Sequence, residues 1–221
     1  MKVSIAVFAL NEIDGMKVIM PRIKREWYDQ LIIVDGNSTD GTIEYAKKYG
    51  YDIFIQNAKG TAAAFLEVME RVTGDVVIII SPDGNSIPEM IPPLIEKMKE
   101  GYDMVIVSRY LDGAKSYDDD YITAFGNWMF TRLVCLLFGT KITDSLVMYR
   151  AFKKQIVGEL DINTKCVSWG TQLLSRAIKR NLKIGEIPGD EPPRIGGVRK
   201  MSPMKNGFQE LFMIISEFIR W

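Results

Sequence analysis

Apolar positions along this chain first come as short, almost unbroken runs. Residues 3–8, 31–34, 53–55, 76–80 and 104–107 are of this kind, most of them rich in Val and Ile. Such runs predict strands buried on both faces of a parallel sheet. Helical patterns fill the gaps, over residues 16–24, 41–49, 61–72 and 88–100. Thr39-Asp40-Gly41-Thr42 places capping side chains ahead of the second helix. Strands alternating with helices of about 10–15 residues make βαβ units. The expected fold is α/β, with a mostly parallel, doubly wound sheet in a single domain.

The second half is less regular. Residues 124–138 are largely apolar and predict a helix, more buried than not, and 166–180 predict another. Residues 182–187 read as a strand. Residues 117–121 hold three consecutive aspartates and read as a solvated loop. Residues 186–202 are rich in Pro, Gly and Arg, a loop whose length points to function or mobility. Residues 206–221 put Phe208, Leu211, Phe212, Ile215, Phe218, Ile219 and Trp221 on one helical stripe. Such stripes are most often core; at the end of a chain this one equally suits a membrane surface or a homodimer contact. There is no internal repeat.

Composition narrows the chemistry. The 221 residues are 47% hydrophobic, enough for a sizeable core. Lys plus Arg equals Asp plus Glu at 28 each, so no net field draws nucleic acid. The chain has no histidine, which excludes histidine bases, histidine-ligated zinc and Ser-His nucleophiles. Cys135 and Cys166 form no C-x-x-C pair, and Met1-Lys2-Val3 runs straight into a strand. These features point to a reduced, cytoplasmic compartment. No apolar run reaches the ~18–20 residues of a membrane span.

Ser81-Pro82-Asp83-Gly84-Asn85 follows the fourth strand. A carboxylate just past a strand's carboxyl end lies where open α/β sheets bind ligands. With the Asn85 amide beside it, Asp83 can hold a hard cation, and the cation a diphosphate. A Pro-Asp-Gly turn explains the same residues without a ligand. Asp35 ends the second strand in the same way and can accept from a ribose or a base edge, though an Asx-turn explains Asn37, Ser38 and Asp40. Lys59-Gly60 opens a helix and is a weaker phosphate signal.

An ordered set of motifs then carries a resemblance. It comprises Ala9-Leu10-Asn11-Glu12, Val34-Asp35-Gly36-Asn37-Ser38-Thr39-Asp40-Gly41-Thr42, Gly74-Asp75-Val76 leading to Asp83, and Ser108-Arg109-Tyr110. Asp144 through Tyr149-Arg150, Glu186-Ile187-Pro188 and Arg194-Ile195-Gly196-Gly197-Val198-Arg199-Lys200 complete it. The chain resembles glycosyltransferase family 2, with the GT-A fold, and within it the polyprenyl-phosphate sugar synthases, such as the dolichyl-phosphate mannose synthases. The resemblance implies a domain over residues 1–205, with a nucleotide-sugar half to residue 110 and an acceptor half after it, then an amphipathic helix at 206–221.

It also implies roles. Ala9, Leu10, Asn11 and Glu12 would line the nucleotide pocket, with Asp35 on the nucleoside; Lys59, from its place ahead of a helix, is counted with the nucleotide-binding residues. Asp83 would hold Mg²⁺ or Mn²⁺ with Asn85 beside it, and Arg109 would sit near the phosphates. Arg194, Arg199 and Lys200 would grip the acceptor or the leaving diphosphate. The implied activity is inverting transfer of a hexose from a nucleotide diphosphate sugar to a polyprenyl (dolichyl-type) phosphate, at the inner face of a membrane. Arg132, Arg220, Trp128 and Trp221 would be interfacial anchors. A hydroxyl acceptor and a non-catalytic nucleotide-sugar-binding role are the alternatives.

The chain departs from the family at two places. Ser81 replaces the first acid of Asp-x-Asp, and Asp118-Asp119-Asp120 stands where a basic residue is usual. No acid pair precedes the 166–180 helix, where relatives using a hydroxyl acceptor keep their base. For a hydroxyl acceptor, Asp144 or an acid of the loop at residues 118–120 is the candidate base; Asp144 is equally a turn residue.

Overall fold

In the computed structural model, which describes residues 1–164, 167–197 and 202–220, five strands fall where apolar runs predict them. They are β1 (Val3–Ala9), β2 (Gln30–Asp35), β3 (Asp52–Ile55), β4 (Val76–Ile80) and β5 (Met104–Ser108). Every residue of β1, β4 and β5 is buried, as an unbroken apolar run requires of a strand covered on both faces. Two more strands, β6 (Arg150–Lys153) and β7 (Ile184–Pro188), complete a seven-stranded sheet of order β3-β2-β1-β4-β6-β5-β7. Neighbours are parallel except at β6, which runs antiparallel between β4 and β5 and pairs Arg150 with both Ile79 and Ile106.

β6 has no sequence prediction behind it. Its residues, Arg-Ala-Phe-Lys, form no apolar run, and it is a strand because ready-made edges flank it on both sides.

Eight helices lie among the described residues: α1 (Ile13–Ile19), α2 (Thr42–Lys48), α3 (Thr61–Met69), α4 (Ile91–Lys99), α5 (Tyr121–Phe138), α6 (Gln155–Glu159), α7 (Trp169–Lys179) and α8 (Pro203–Ile219). One face of the sheet packs on α3, α6 and α7 through Phe65, Val68, Ile156, Trp169 and Leu173. The other packs on α1, α2 and α4 through Met16, Ala46, Ile91 and Leu94. α5 and α8 form a separate layer around Phe130, Val134, Phe138 and Ile214.

The outer layer leaves the α8 stripe free for a membrane or homodimer contact and overturns the expected burial of α5. The apolar stripe of α8 points outward: Phe208, Phe212 and Ile219 are 68%, 73% and 75% exposed, while Ile214 and the carboxylate of Glu217 are buried. Arg176 and Lys179 of α7 draw Glu217 inward, at 2.7 and 3.3 Å, so ion pairing sets the rotation of the helix. α5 is exposed along Ile122, Phe125, Trp128 and Leu136. Counted from Tyr121 it has 18 residues and is long and apolar enough to cross a membrane by length and composition.

Candidate active site

The carboxyl ends of β1, β2, β4 and β5 open into one cleft of about 1280 Å³. Ordinary small-molecule sites occupy about 300–1,000 Å³, so this cleft has room for two substrates. One end is lined by Leu10, Glu12, Gly36, Asn37, Lys59, Ser81, Asp83 and Asn85. The other end passes between α5 and α8, over Phe125, Met129, Phe130, Met204, Phe208 and Leu211.

Asp83 reaches the cleft because β4 ends at Ile80 and a tight turn follows. Close packing fixes that turn. A Cβ on Gly15 of α1 would lie 2.0 Å from the Pro82 carbonyl oxygen, and one on Gly84 would lie 2.7 Å from Ile195. Gly84 also has φ +98°, a conformation that favours glycine.

The segment 189–197 lies across this turn as a strap. The Ile195 N–H donates to the Asp83 carbonyl at 2.6 Å, and the Asn85 amide donates to the Pro192 carbonyl at 3.1 Å. The Arg194 guanidinium bridges two acids: Nη1 donates to both Glu12 oxygens at 2.8 Å, and Nη2 to Asp83 Oδ2 at 2.8 Å. Burial works against the Arg194 charge, yet Asp83 and Glu12 outweigh it and raise its pKa. Its buried Nε finds no hydrogen-bond partner among the described residues. A spare N–H beside a carboxylate suits a phosphate oxygen.

Arg109 is anchored by acids. Nε and Nη2 donate to the two oxygens of Asp144 at 2.6 and 3.0 Å, and Nη1 donates to Glu191 at 3.2 Å. Its guanidinium therefore ties the end of β5 to the start of the strap. Asp144 is fully buried and also accepts from the backbone of Leu146 and Val147. It lies off the cleft lining, so its position suits holding Arg109 in place more than taking a substrate proton.

The three aspartates after Tyr117 are not a solvated loop. Asp119 accepts from the Tyr110 hydroxyl at 2.6 Å and the Asn127 amide at 2.9 Å. Asp120 caps α5 through the Thr123 N–H at 2.7 Å, and Asp118 receives the Arg194 N–H at 3.2 Å.

Other expected site residues separate. Ala9, Leu10, Glu12, Lys59 and Asn85 line the cleft. Asp35 does not: it is fully buried, and the N–H and hydroxyl of Ser38 take its two oxygens at 2.6 and 2.7 Å. Asn11 stays off the lining, and its side-chain oxygen accepts from the Thr39 N–H at 2.8 Å. Arg199, Lys200, Cys166 and Trp221 lie outside the described residues.

Among the described residues no group of three or more acids, cysteines or histidines is arranged to hold a metal ion by itself. Asp83, however, faces the cleft with an acidic neighbour across the Arg194 bridge. One carboxylate together with substrate phosphates and water is an ordinary Mg²⁺ arrangement, so the residues fit a metal carried with a diphosphate.

Sequence reasoning missed three acids of this cleft, Asp190, Glu191 and Glu210. Glu210 of α8 lines it beside Thr171, whose hydroxyl donates to it at 2.6 Å. The available signal was a polar residue interrupting an apolar helix.

Comparison with known proteins agrees with this geometry. A family model described as glycosyl transferase family 2 matches residues 4–181. Glycosyltransferase AglJ of Haloferax volcanii is 26% identical over 210 residues, covering 91% of this chain and 68% of its own. The dolichyl-phosphate hexose transferase of the same organism is 27% identical over 178 residues, covering 80% and 76%. Glucosyl-3-phosphoglycerate synthase from Mycobacterium tuberculosis, solved with Mn²⁺, UDP-glucose and phosphoglyceric acid, has a TM-score of 0.75 at 20% identity. That match covers 98% of this chain and 79% of the solved one. At such identity the likeness establishes the fold alone.

Proposed function

We propose, on the premise that the chain belongs to glycosyltransferase family 2 and is a glycosyltransferase, that it transfers a hexose from a nucleotide diphosphate sugar to a polyprenyl phosphate. The observation that carries the acceptor is the shape of the cleft. Its polar end at Glu12, Asp83 and Lys59 suits a nucleotide diphosphate. Its apolar end, through Phe125, Met129, Phe208 and Leu211, continues to the surface as a trough for an isoprenoid chain. The relative named dolichyl-phosphate hexose transferase supports the same acceptor class.

A Mg²⁺ or Mn²⁺ at Asp83 would supply charge on the leaving diphosphate when bound. Arg194 supports that charge through the strap, and Lys59 reaches the cleft from just ahead of Gly60, the N-cap of α3. Arg109 holds the strap's base through Glu191. The outward apolar rows of α5 and α8 suit the interface of a membrane, where a lipid acceptor resides. On this reading the protein works at the inner face of the membrane.

The test offers the enzyme a panel of nucleotide sugars with Mn²⁺. Polyprenyl phosphate in detergent and phosphoglycerate in water are compared as acceptors. Transfer to the lipid alone is expected. Transfer to phosphoglycerate alone would replace the lipid reading with a soluble one.

A further inference from the structure

A carboxylate that takes a proton must be free of a permanent cation and shielded from bulk water. Six acids line the cleft: Glu12, Asp83, Asp118, Asp190, Glu191 and Glu210. Glu12 and Asp83 share the Arg194 guanidinium, and Asp118, which accepts from the Arg194 backbone N–H, also feels the charge of that guanidinium. Glu191 binds Arg109 and the Ser116 hydroxyl. Asp190 is exposed and accepts from the Lys115 N–H. Glu210 differs from all of these. Its partner is the neutral hydroxyl of Thr171, at 2.6 Å, and among the described residues no cation pairs with it.

Its surroundings favour a base. Arg150 lines the same part of the cleft, fully buried, with its N–H groups spent on the Val147 and Gly170 carbonyls. Its charge steadies an ionised Glu210 from a distance without neutralising it by contact. Burial raises the Glu210 pKa, with the Thr171 and Ser168 hydroxyls and then Arg150 pulling it back. Glu210 lines the cleft together with its helix neighbours Phe208 and Leu211 and with Arg150, Trp169 and Thr171. On the proposed function, the head of an acceptor whose chain lies along Phe208 and Leu211 comes to this part of the cleft. The first turn of α7, around Ser168-Trp169-Gly170, carries no acid of its own, and α8 brings one to it.

We propose that Glu210 is the general base of the transfer, taking the proton from the acceptor's reacting oxygen. The bond from that oxygen to the anomeric carbon forms as the carbon–oxygen bond to the nucleoside diphosphate breaks. The electron pair leaves with the diphosphate, and the proton moves to a Glu210 oxygen. The oxygen that brings a proton is a hydroxyl or a phosphate monoester in its monoanionic form. This inference rests on the transferase reading above, and water serves as an acceptor that does not depend on the lipid.

The experiment compares the wild type with Glu210→Gln and Glu210→Ala. Three acceptors are used, each at pH 6 and pH 8: polyprenyl phosphate, a lipid-linked sugar with a free hydroxyl, and water in donor hydrolysis. Thermal melts and calorimetric nucleotide binding confirm an intact donor site. With the hydroxyl and with water, Glu210→Gln loses roughly 10²–10⁴-fold in kcat at both pH values. With the phosphate, the loss is large at pH 6 and shrinks at pH 8, because a phosphate monoester has shed its second proton above about pH 6. Formate restores part of the rate to Glu210→Ala, which a purely structural role would not allow. Equal rates for Glu210→Gln and wild type with every acceptor at both pH values overturn the proposal. Wild-type donor hydrolysis that depends on Glu210, without transfer to polyprenyl phosphate, sinks the lipid acceptor and leaves the base standing.

Discussion

Arg194 Nη2 lies 2.8 Å from Asp83 Oδ2, so the strap places its cation on the carboxylate that would hold the metal. A metal bound at Asp83 would share that site with the guanidinium. Removing the guanidinium takes charge from the leaving diphosphate and also loosens the strap. Arg194→Ala is expected to lower kcat by roughly 10²–10³-fold, as for loss of one preorganised electrostatic donor. Steady-state kinetics with saturating donor and Mn²⁺ measure this, and an unchanged kcat would remove Arg194 from the chemistry.

Asp144 and Arg109 make a second test, because the acid is fully buried and its partner nearly so. Asp144→Asn leaves the guanidinium without its bidentate partner. The expected cost is about 3–5 kcal/mol of stability, the usual penalty for breaking a buried pair from one side. Urea unfolding measures it. A stable variant whose kcat falls with a changed pH profile would instead make Asp144 a base.

Gly15 lies under the turn that carries Asp83. A methyl group there would sit 2.0 Å from the Pro82 carbonyl oxygen, and backbone has to move to admit it. Gly15→Ala is expected to cost about 1–3 kcal/mol through overpacking and to weaken Mn²⁺-dependent nucleotide binding. Calorimetry with and without chelator separates the two effects; wild-type values in both would show that the turn adapts.

Glu217 gives the seating of α8 a pH dependence. Burial raises its pKa, but hydrogen bonds from Arg176 and Gln172 outweigh this and lower it below 4.5. A carboxyl lowered on folding adds stability above its unfolded pKa and loses it as pH falls through the folded value. Glu217→Gln is therefore expected to melt well below wild type at pH 7, with the gap narrowing below pH 4.5. A gap that stays constant from pH 7 to pH 3 would contradict the ion-pair account.

The outward row on α8 tests membrane contact separately from folding. Changing Phe208, Phe212 and Ile219 together to Ser removes exposed apolar area, and exposed substitutions usually shift stability by less than about 0.5 kcal/mol each. Flotation with anionic vesicles is expected to lose the variant while its melting temperature holds. Equal flotation would move the contact to α5 or elsewhere.

The βαβ half of the fold was legible because its strands are covered on both faces, which leaves unbroken apolar runs at residues 76–80 and 104–107. Asp83 and Lys59 were legible as cleft residues for the same reason: the end of a recognisable element tells where the next residues lie. Asp119 was not, because its partners Tyr110 and Asn127 come from segments whose meeting no local pattern announces. The rotation of α8 was hidden as well. A stripe has the same period whichever way it faces, and the deciding contacts, Arg176 and Lys179, sit on another helix. Glu210 shares that face and stayed hidden with it.

The reversed direction of β6 has a consequence for alignment of the chain. A strand that runs against its neighbours begins where they end, so Arg150 enters at the cleft, opposite Ile79 and Ile106. Side chains alternate along it, with Phe152 joining the core of α3 and α7 and Ala151 the opposite core. Deleting one residue between Asp144 and Arg150 would shift this phase by one position. The guanidinium would then turn into the apolar layer under α4, and the small Ala151 would take its place at the cleft. The spacing of those few residues thus acts as a ruler, set by the clamp on Arg109 at one end and the sheet register at the other.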